Sequence, residues 1–311
     1  MPDCEIHALV PVYTQDIASE CKWIDKVIID TGSNSSITEN FHLLNSVKQQ
    51  HYDAIITLYS TTRVGLISFL SGARYRLAPA TKIAQIFYNH RLTQRRSKSL
   101  KPEYEYNTDL AIKFLTDFGI PVKNIPQTPF LFFQDNEIAE SKEKFYAEFH
   151  LNSDSKLIFI HPGTGGSATN LSLEQYASLA KKLNVGTNFI FVITAGPGEV
   201  EYANTLSTLL GDTPNIVYPS MDGLVNFSKV IQLCDLFISA STGPLHIAGA
   251  LNRPTAAFYQ RRRSATPLRW QTLNSEEKRL AFTPPEGEHE SDLSSIDVDI
   301  AAKAIINKFL T

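Results

Sequence analysis

The residues with the greatest chemical capacity lie in three polar turns in the second half of the chain. The first turn, Ser241 to Pro244, follows an apolar run that predicts a strand and precedes an apolar-periodic helix that carries His246. It presents free backbone N–H groups, two hydroxyl groups and the positive end of a helix dipole. These groups suit a phosphate at the carboxyl edge of a parallel sheet, although the same residues also form an ordinary N-cap and first helical turn.

Two further turns follow predicted strands in the same half. The turn from His161 to Asn170 contains three glycines and three hydroxyl side chains, which allow close approach of an oxyanion and supply hydrogen-bond donors. It lacks the Gly-Lys-Ser/Thr of a P-loop and the glycine spacing of a dinucleotide fingerprint. The third turn ends at Glu199, whose carboxylate can accept hydrogen bonds from ribose hydroxyls. Together the three turns predict half of a nucleotide diphosphate site.

Alternating strands and helices position these turns. Strands are predicted at 157–160, 189–194, 216–218, 236–239 and 255–259, and a helix follows each of the first four. Strands at this spacing predict a mostly parallel, doubly wound α/β sheet. Because parallel strands have their carboxyl ends at one edge, we expect the three turns to line one cleft.

The first half repeats the same rhythm less regularly. It predicts strands at 5–10, 26–29 and 53–59. Residues 121–156 carry three prolines and a charged, helix-capable stretch, which indicates a domain boundary. We therefore expect an α/β protein of two domains, residues 1–150 and 151–311. Helices of the first half are predicted at about 40–48, 62–70 and 107–118.

Composition and length are those of a globular, water-exposed protein. The chain has 311 residues, of which 43% are hydrophobic and 20% are charged. No run approaches about eighteen apolar residues and the N-terminus has no basic start, so neither a transmembrane helix nor a secretory signal is expected. The three cysteines, Cys4, Cys21 and Cys234, show no metal-ligand spacing, which favours a reducing cytoplasm.

A segment of uneven charge lies in the first half. Asp53 and Glu103 enclose a stretch without any acidic residue, whose positive charge predicts a surface for an anionic partner such as a phosphorylated lipid headgroup. Nucleic acid is not favoured, because no recognisable nucleic-acid-binding motif accompanies the aromatic residues, and a solvated basic loop is the plain alternative. The basic residues are Arg63, Arg74, Arg76, Lys82, Arg91, Arg95, Arg96, Lys98 and Lys101.

Two motifs together resemble a known family. His161-Pro162-Gly163 with its small polar loop, and Ser241 to Ala248 followed by Pro254, resemble the bacterial heptosyltransferases of glycosyltransferase family nine. The likeness extends over nearly the whole chain. It implies a GT-B fold of two facing Rossmann-like domains, in which a C-terminal helix, 296–310, crosses back onto the first domain. It also implies that the first domain binds an acceptor and the second a nucleotide-sugar donor.

The resemblance further implies a reaction and its partners. An inverting transfer of heptose from ADP-heptose to the anionic inner core of lipopolysaccharide, or to a lipid A precursor, is expected at the cytoplasmic face of the inner membrane. Peripheral membrane contact is expected, but no nucleic acid, cofactor or required metal. The implied donor-binding residues are Thr164, Gly165, Asn170, Glu199, Met221, Ser241, Thr242, Gly243 and His246, with Glu201 as the alternative to Glu199. The basic residues assigned to the acceptor are Arg63, Arg91, Arg95 and Arg96.

The sequence departs from the family pattern in one segment and at two residues. Relatives carry a further strand and a Gly-Asp turn, with the expected catalytic base, before the equivalent of Pro2, so no catalytic residue is assigned here. That further strand would be a central one in the first sheet. Asn170 stands where many relatives carry a lysine, and Ser241 where some carry an aspartate. The alternatives are a relative that uses another nucleotide sugar and a catalytically silent nucleotide-binding protein.

Overall fold

The computed structural model describes residues 4–80, 83–166, 169–184, 189–287 and 290–310. It divides into two units, Met1–Pro126 and Gln127–Thr311. Both units are built from parallel strands with helices in the connections, which confirms the predicted α/β class. Three residues of the predicted motifs, Lys82, Ser167 and Ala168, lie outside the described residues.

The first unit contains two small parallel sheets. Its strands are β1 (His7–Pro11), β2 (Lys26–Asp30), β3 (Ala54–Ile56), β4 (Tyr75–Pro79) and β5 (His90–Leu92). One sheet pairs β1 with β2, and the other has the order β3-β4-β5. The helices are α1 (Gln15–Ser19), α2 (Ile37–Gln49), α3 (Thr62–Leu70) and α4 (Glu103–Asp117), with 3-10 turns at Val12–Thr14, Ile83–Phe87 and Arg96–Lys98.

The two sheets share a core but no backbone ladder. Among the described strands, β1 pairs with β2 alone and β3 with β4 alone. His7 and Tyr52 connect the two sheets from the side, because Nδ1 of His7 lies 2.7 Å from the tyrosine hydroxyl. The shared apolar core comprises Leu43, Val47 and Ile67, packed with Ile28, Leu44, Tyr52 and Ile55.

Strands β4 and β5 were missing from the sequence prediction. The two strands are only five and three residues long and lie in a basic segment, so the alternation of inward and outward side chains extends over too few residues to be distinctive. In the structure Tyr75 and Leu77 of β4 pack with Leu110 and Phe114 of α4. Arg76, between them, points to the other face of the sheet. Helix α4 therefore covers one face of β4.

One six-stranded parallel sheet dominates the second unit. Its strands are β6 (Lys156–His161), β7 (Phe189–Ala195), β8 (Asn215–Pro219), β9 (Leu236–Ala240), β10 (Thr255–Phe258) and β11 (Arg279–Phe282). The helices are α5 (Asp135–Glu148), α6 (Leu173–Leu183), α7 (Val200–Leu210), α8 (Gly223–Ile231), α9 (Gly243–Ala250), α10 (Pro267–Trp270) and α11 (Val298–Ile305). Within the described ranges of both units, none of the helices has the length and apolarity needed to cross a bilayer.

The strand order creates a crevice between two neighbouring strands. Across the sheet the order is β11-β10-β9-β6-β7-β8. The chain therefore proceeds in one direction from β6 and in the other from β9, and ligands of open α/β sheets bind at the carboxyl ends of such a pair. The predicted strands of this unit are confirmed, each within one residue at either end, while the short edge strand β11 was not predicted.

Helix α5 corrects the predicted domain boundary. The structure divides after Pro126, not after residue 150. Phe145 of α5 is buried, with its ring centroid 6.3 Å from that of Phe159 in β6 and 5.5 Å from that of Tyr218 in β8. A salt bridge of 2.7 Å joins Glu137 of α5 to Lys229 of α8. The helix packs on the second sheet because its aromatic face meets that core, a contact that the preceding prolines do not indicate.

The closing helix α11 also packs within the second unit. Ala301, Ala302 and Ile305 join the apolar core that contains α6, and Nζ of Lys182 lies 2.5 Å from Oδ1 of Asp299. The segment continues as a π-helical turn, Ile306–Leu310. The existence of a C-terminal helix is therefore confirmed, while its crossing onto the first domain stays a prediction.

Replacement of Phe145 by alanine is expected to destabilise the second unit. Removal of a fully buried phenylalanine ring leaves a cavity and costs about 3–5 kcal/mol. Urea unfolding measures the loss, and hydrogen exchange locates it. The exposed Phe41 of α2 supplies the control, since Phe41→Ala should change the free energy of unfolding by less than about 1 kcal/mol. Faster exchange confined to residues 4–126 in Phe145→Ala would contradict the placement of α5.

Candidate functional site

The crevice between β6 and β9 brings two of the predicted turns together. The hydroxyl of Ser239 in β9 donates to the carbonyl oxygen of His161, the last residue of β6, at 3.0 Å. The same hydroxyl lies 3.0 Å from Oγ1 of Thr242. Ser239 thus ties the two strand ends beneath the crevice, and the turns that follow them start side by side at the carboxyl edge.

Helix α9 begins in this crevice with its first turn uncovered. Thr242 is the N-cap residue, with extended backbone, but its buried side chain makes no capping hydrogen bond. Gly243 is exposed, and a Cβ built on it would meet no atom within 4 Å. The start of α9 is therefore open at Gly243, at the end of the helix that attracts anions.

His246 lies one turn into α9. Its backbone N–H donates to the carbonyl oxygen of Thr242 at 3.2 Å, as in regular helix. Burial lowers the pKa of its imidazole, so the ring is neutral at pH 7 and can donate or accept one hydrogen bond. Its structural position, beneath the first turn, is the one expected from the sequence.

The turn after β6 needs its glycines. Gly165 and Gly166 have φ values of 51° and 76°, in the left-handed region that favours glycine. The N–H of Gly166 donates to Oγ1 of Thr164 at 3.3 Å. The two left-handed residues turn the chain after β6, and their N–H groups donate to Glu199 and Thr164.

Asn170 holds the end of the same turn. Its side-chain NH₂ donates to the carbonyl oxygen of Pro162, and its side-chain oxygen accepts from the hydroxyl of Tyr176 at 2.5 Å and from the N–H of Leu171 at 2.9 Å. The amide is thus engaged inside the protein and shapes the loop. Its predicted contact with the donor stays a prediction.

Glu199 joins the turns after β6 and β7. Its carboxylate accepts the N–H of Gly165 at 3.0 Å and the N–H of Gly196 at 3.1 Å. Gly163 leaves room for it, since a Cβ built there would lie 2.2 Å from the carboxylate. In this structure Glu199 binds backbone, and the predicted ribose contact stays a prediction, as does the alternative, the exposed Glu201 of α7.

His161 is buried beneath this carboxylate. Its Nδ1 lies 2.9 Å from Oγ1 of Thr194, and its Nε2 lies 3.8 Å from Oε2 of Glu199. Burial lowers the pKa of His161, and the Glu199 carboxylate offsets only part of that effect. The motif residue His161 therefore supports the carboxylate from below as a neutral ring.

Two other residues lie at the same edge of the sheet. Met221, two residues after β8, is exposed and offers an apolar surface. Gln260, two residues after β10, donates to Oγ1 of Thr169 and, at 3.3 Å, to the carbonyl oxygen of Ser291. Gln260 is not among the residues predicted from the sequence to line the site. Its position two residues after β10 is the sequence feature that places it at this edge of the sheet.

Two of the four arginines assigned to the acceptor form ion pairs. Nη2 of Arg63 lies 2.5 Å from Oδ1 of Asp30, and Nη1 of Arg96 lies 2.7 Å from Oε1 of Glu103. Partial burial raises the pKa of Asp30, but the hydrogen bonds from Arg63 and from the N–H of Gly32, together with the charge of Arg63, hold that pKa below its ordinary value. Much of the charge on Arg63 and Arg96 is therefore neutralised.

The other two, Arg91 and Arg95, are exposed. They lie in and just after β5, so their guanidinium groups remain accessible to an anion. The assignment of all four arginines to an acceptor stays a prediction.

Comparison with known proteins decides the family. The profile of glycosyltransferase family 9 (heptosyltransferase) matches residues 40–291, most of both units. The chain belongs to glycosyltransferase family nine. The resemblance based on His161-Pro162-Gly163 and Ser241 to Ala248 is thereby confirmed, and so is the prediction of a glycosyltransferase.

The alignments with similar proteins extend over nearly the whole of this chain and most of each relative. A Haemophilus influenzae protein named "Putative glycosyltransferase" is 44% identical over 305 residues, which cover 98% of this chain and 88% of that protein. The solved structure of Escherichia coli ADP-heptose lps heptosyltransferase II has a TM-score of 0.76 at 20% identity, covering 100% of this chain and 91% of that one. The structure of E. coli heptosyltransferase WaaC with ADP has a TM-score of 0.72 at 17% identity, covering 99% and 91%. These likenesses confirm the predicted fold of the family.

Alanine at Gly163 is expected to displace Glu199. The new methyl group would overlap the carboxylate, and loss of its hydrogen bonds to Gly165 and Gly196 should lower the free energy of unfolding by about 1–3 kcal/mol. Gly243→Ala is the matched control, because its Cβ enters open space and should change stability by less than about 0.5 kcal/mol. Urea unfolding of both variants measures the difference; equal values would show that Gly163 does not seat the carboxylate.

Acid is expected to destabilise the second unit through His161. Its pKa is lowered from 6.5 in the folded protein, so below about pH 6.5 the unfolded chain binds more protons than the folded one. The free energy of unfolding should therefore hold level above that pH and fall below it. Urea titrations between about pH 8 and pH 5 test this. His161→Gln should show a smaller fall, with the remainder from His246; an unchanged fall would exclude His161 as the source.

Proposed function

We propose that this family member is an inverting glycosyltransferase that transfers heptose from ADP-heptose to the anionic inner core of lipopolysaccharide. The observation that carries the proposal is the crevice between β6 and β9, where the uncovered first turn of α9 faces the glycine turn that contains Gly165. Two sets of backbone donors at one strand switch point suit a nucleoside diphosphate.

The geometry suits the chemistry of glycosyl transfer. As the glycosidic bond breaks, negative charge grows on the departing diphosphate, so donors aimed at it stabilise the transition state more than the ground state. Removal of one such donor costs about 3 kcal/mol in other enzymes. We assign the N–H groups of Gly243 and Gly165, with Ser241 and Thr164, to the diphosphate and the neutral ring of His246 to the sugar.

The residues proposed to contact the adenine and the ribose of the nucleotide sugar also lie just after the ends of strands. Met221 offers an apolar surface for adenine at the carboxyl end of β8, and Glu199 or Glu201 meets the ribose. Thr242 is proposed to hold the start of α9 in place, because its hydroxyl lies within hydrogen-bonding distance of Ser239 and it is the N-cap residue of that helix. Transfer is proposed to need no metal, and chelation with EDTA should leave its rate unchanged.

Two relatives support the choice of donor and acceptor. One of the similar E. coli proteins is an ADP-heptose lps heptosyltransferase, and the structure of the other contains ADP. An acceptor carried by a lipid would place the reaction at the cytoplasmic face of the inner membrane. The exposed Arg91 and Arg95 are the groups of the first unit proposed to meet its phosphates and carboxylates.

Calorimetric titration with ADP, UDP, GDP and CMP tests the nucleotide site. ADP is expected to bind most tightly, and Gly243→Val should weaken it at least about tenfold, since the side chain fills the space that the diphosphate needs. The Gly243 site tolerates a side chain in the free protein, so unfolding should be unaffected. Thr205→Val, at an exposed position of α7, is the control and should bind as the wild type does.

Other outcomes of this titration separate the alternatives. A preference for UDP would favour a relative that uses another nucleotide sugar. Selective ADP binding, combined with no transfer of heptose to any core acceptor by mass spectrometry, would favour a silent nucleotide-binding protein. Folded protein that binds none of the four nucleotides would refute the proposed site.

A further inference from the structure

Helix α3 of the first unit buries one side and leaves the other apolar and exposed. Ile67 and Ser68 face the core. Leu66, Phe69 and Leu70, spaced to share one helix face, remain exposed at 43%, 51% and 42%. A surface helix of a globular protein normally carries polar side chains on this face.

The 3-10 turn Ile83–Phe87 extends this apolar surface. It packs beside α3, because the ring centroids of Phe69 and Phe87 are 6.2 Å apart and a Cβ built on Gly65 would lie 2.8 Å from Phe87. Ile83 and Ile86, three residues apart in the turn, are 72% and 68% exposed. The surface formed by Leu66, Phe69, Leu70, Ile83 and Ile86 is termed the α3 patch.

Positive charge lies on the same side of the sheet as the α3 patch. Cζ of Arg76 in β4 lies 5.5 Å from the ring centroid of Phe69. Arg91 of β5 pairs in register with Ala78, two residues from Arg76, and so points to this face as well. Arg74, the residue before β4, is exposed. Arg76 and Arg91 thus lie on the face of the sheet that carries the patch, and Arg74 adds a third positive charge at the start of β4.

Negative charge lies on the opposite side. Tyr75, whose side chain points away from α3, donates its hydroxyl to Asp117 of α4 at 2.7 Å. Asp109, Glu103 and Glu105 also belong to α4. The segment between Asp53 and Glu103 has no carboxylate at all. Lys113, Lys101 and Arg96 form ion pairs with Asp117, Asp109 and Glu103. The carboxylates near this sheet thus belong to α4, on the side away from the α3 patch.

We propose that the α3 patch and its arginines dock on an anionic phospholipid bilayer. The apolar side chains would enter the interfacial layer while the guanidinium groups of Arg74, Arg76 and Arg91 meet lipid phosphates. Contiguous apolar surface of this kind marks a partner. A second copy of the chain is disfavoured, because a symmetric contact would oppose like charges.

The biological reason for such docking rests on the proposed function, in which the acceptor is carried by a lipid. The binding itself is measured without donor or acceptor. Flotation with phosphatidylethanolamine vesicles, with and without phosphatidylglycerol, is the test. The protein is expected to float with the anionic vesicles, and high salt should release most of it.

Variants of the patch identify the surface. Ile83→Asn with Ile86→Asn should lower the partition onto anionic vesicles at least about tenfold. Arg74→Gln with Arg91→Gln should lower it about fivefold for each charge. Ile300→Asn, on α11 of the second unit and 64% exposed in the wild type, is the matched control and should float unchanged. Thermal unfolding should be the same for all variants because the replaced side chains are exposed.

Three results would overturn the proposal. In the first, the wild type would fail to float with anionic vesicles. In the second, the double isoleucine variant would float as well as the wild type does. In the third, sedimentation velocity would show that the wild type is a dimer and that the double isoleucine variant is a monomer, which would mean that a second copy of the chain covers the patch.

The affinity for ADP separates this proposal from the proposed function. The double isoleucine variant should bind ADP as tightly as the wild type does. Failure of the wild type to bind ADP would refute the proposed function without refuting the lipid-binding surface.

Discussion

The Glu199 carboxylate accepts backbone N–H groups from two turns that follow neighbouring strands, and the arrangement of the site depends on this contact. It fixes the distance between the turns after β6 and β7. It also explains why Gly163 has no side chain, since the carboxylate occupies that space. The N–H of Gly165 that it binds belongs to the glycine turn proposed for the donor diphosphate, so a phosphate in that turn would compete with the carboxylate for this N–H.

The support beneath the crevice consists of neutral polar groups. His161 is buried with a lowered pKa, and Ser239 and Thr242 share a hydrogen bond between β9 and α9. These neutral partners hold the ends of β6 and β9 together beneath the crevice. In the proposed function, the attraction for the diphosphate would come from backbone N–H groups and the start of α9, whose dipoles are already oriented by the fold.

Charge in the first unit is sorted by the two faces of a small sheet. Alternation along β4 turns Arg76 toward α3 and Tyr75 toward the acidic helix α4. Ion pairs then remove Arg63 and Arg96 from the set of free cations. The same basic segment that the sequence displays as one run is thus divided into structural arginines and accessible ones, and the accessible ones carry both the proposed acceptor contact and the proposed lipid surface.

The sequence by itself determined the strands of the second sheet, the turns at their carboxyl ends and the family, because strands buried on both faces read as unbroken apolar runs and the turns between them have a distinctive composition. It did not reveal β4 and β5, whose alternation extends over too few residues, or the attachment of α5 to the second sheet, which rests on the contacts of Phe145. Only the tertiary structure decided what each polar side chain meets: Glu199 and Gly165 are 34 residues apart, and Arg63 and Asp30 are 33 apart. A sequence shows which residues can donate and accept, but strand order and register determine which of them come within hydrogen-bonding distance.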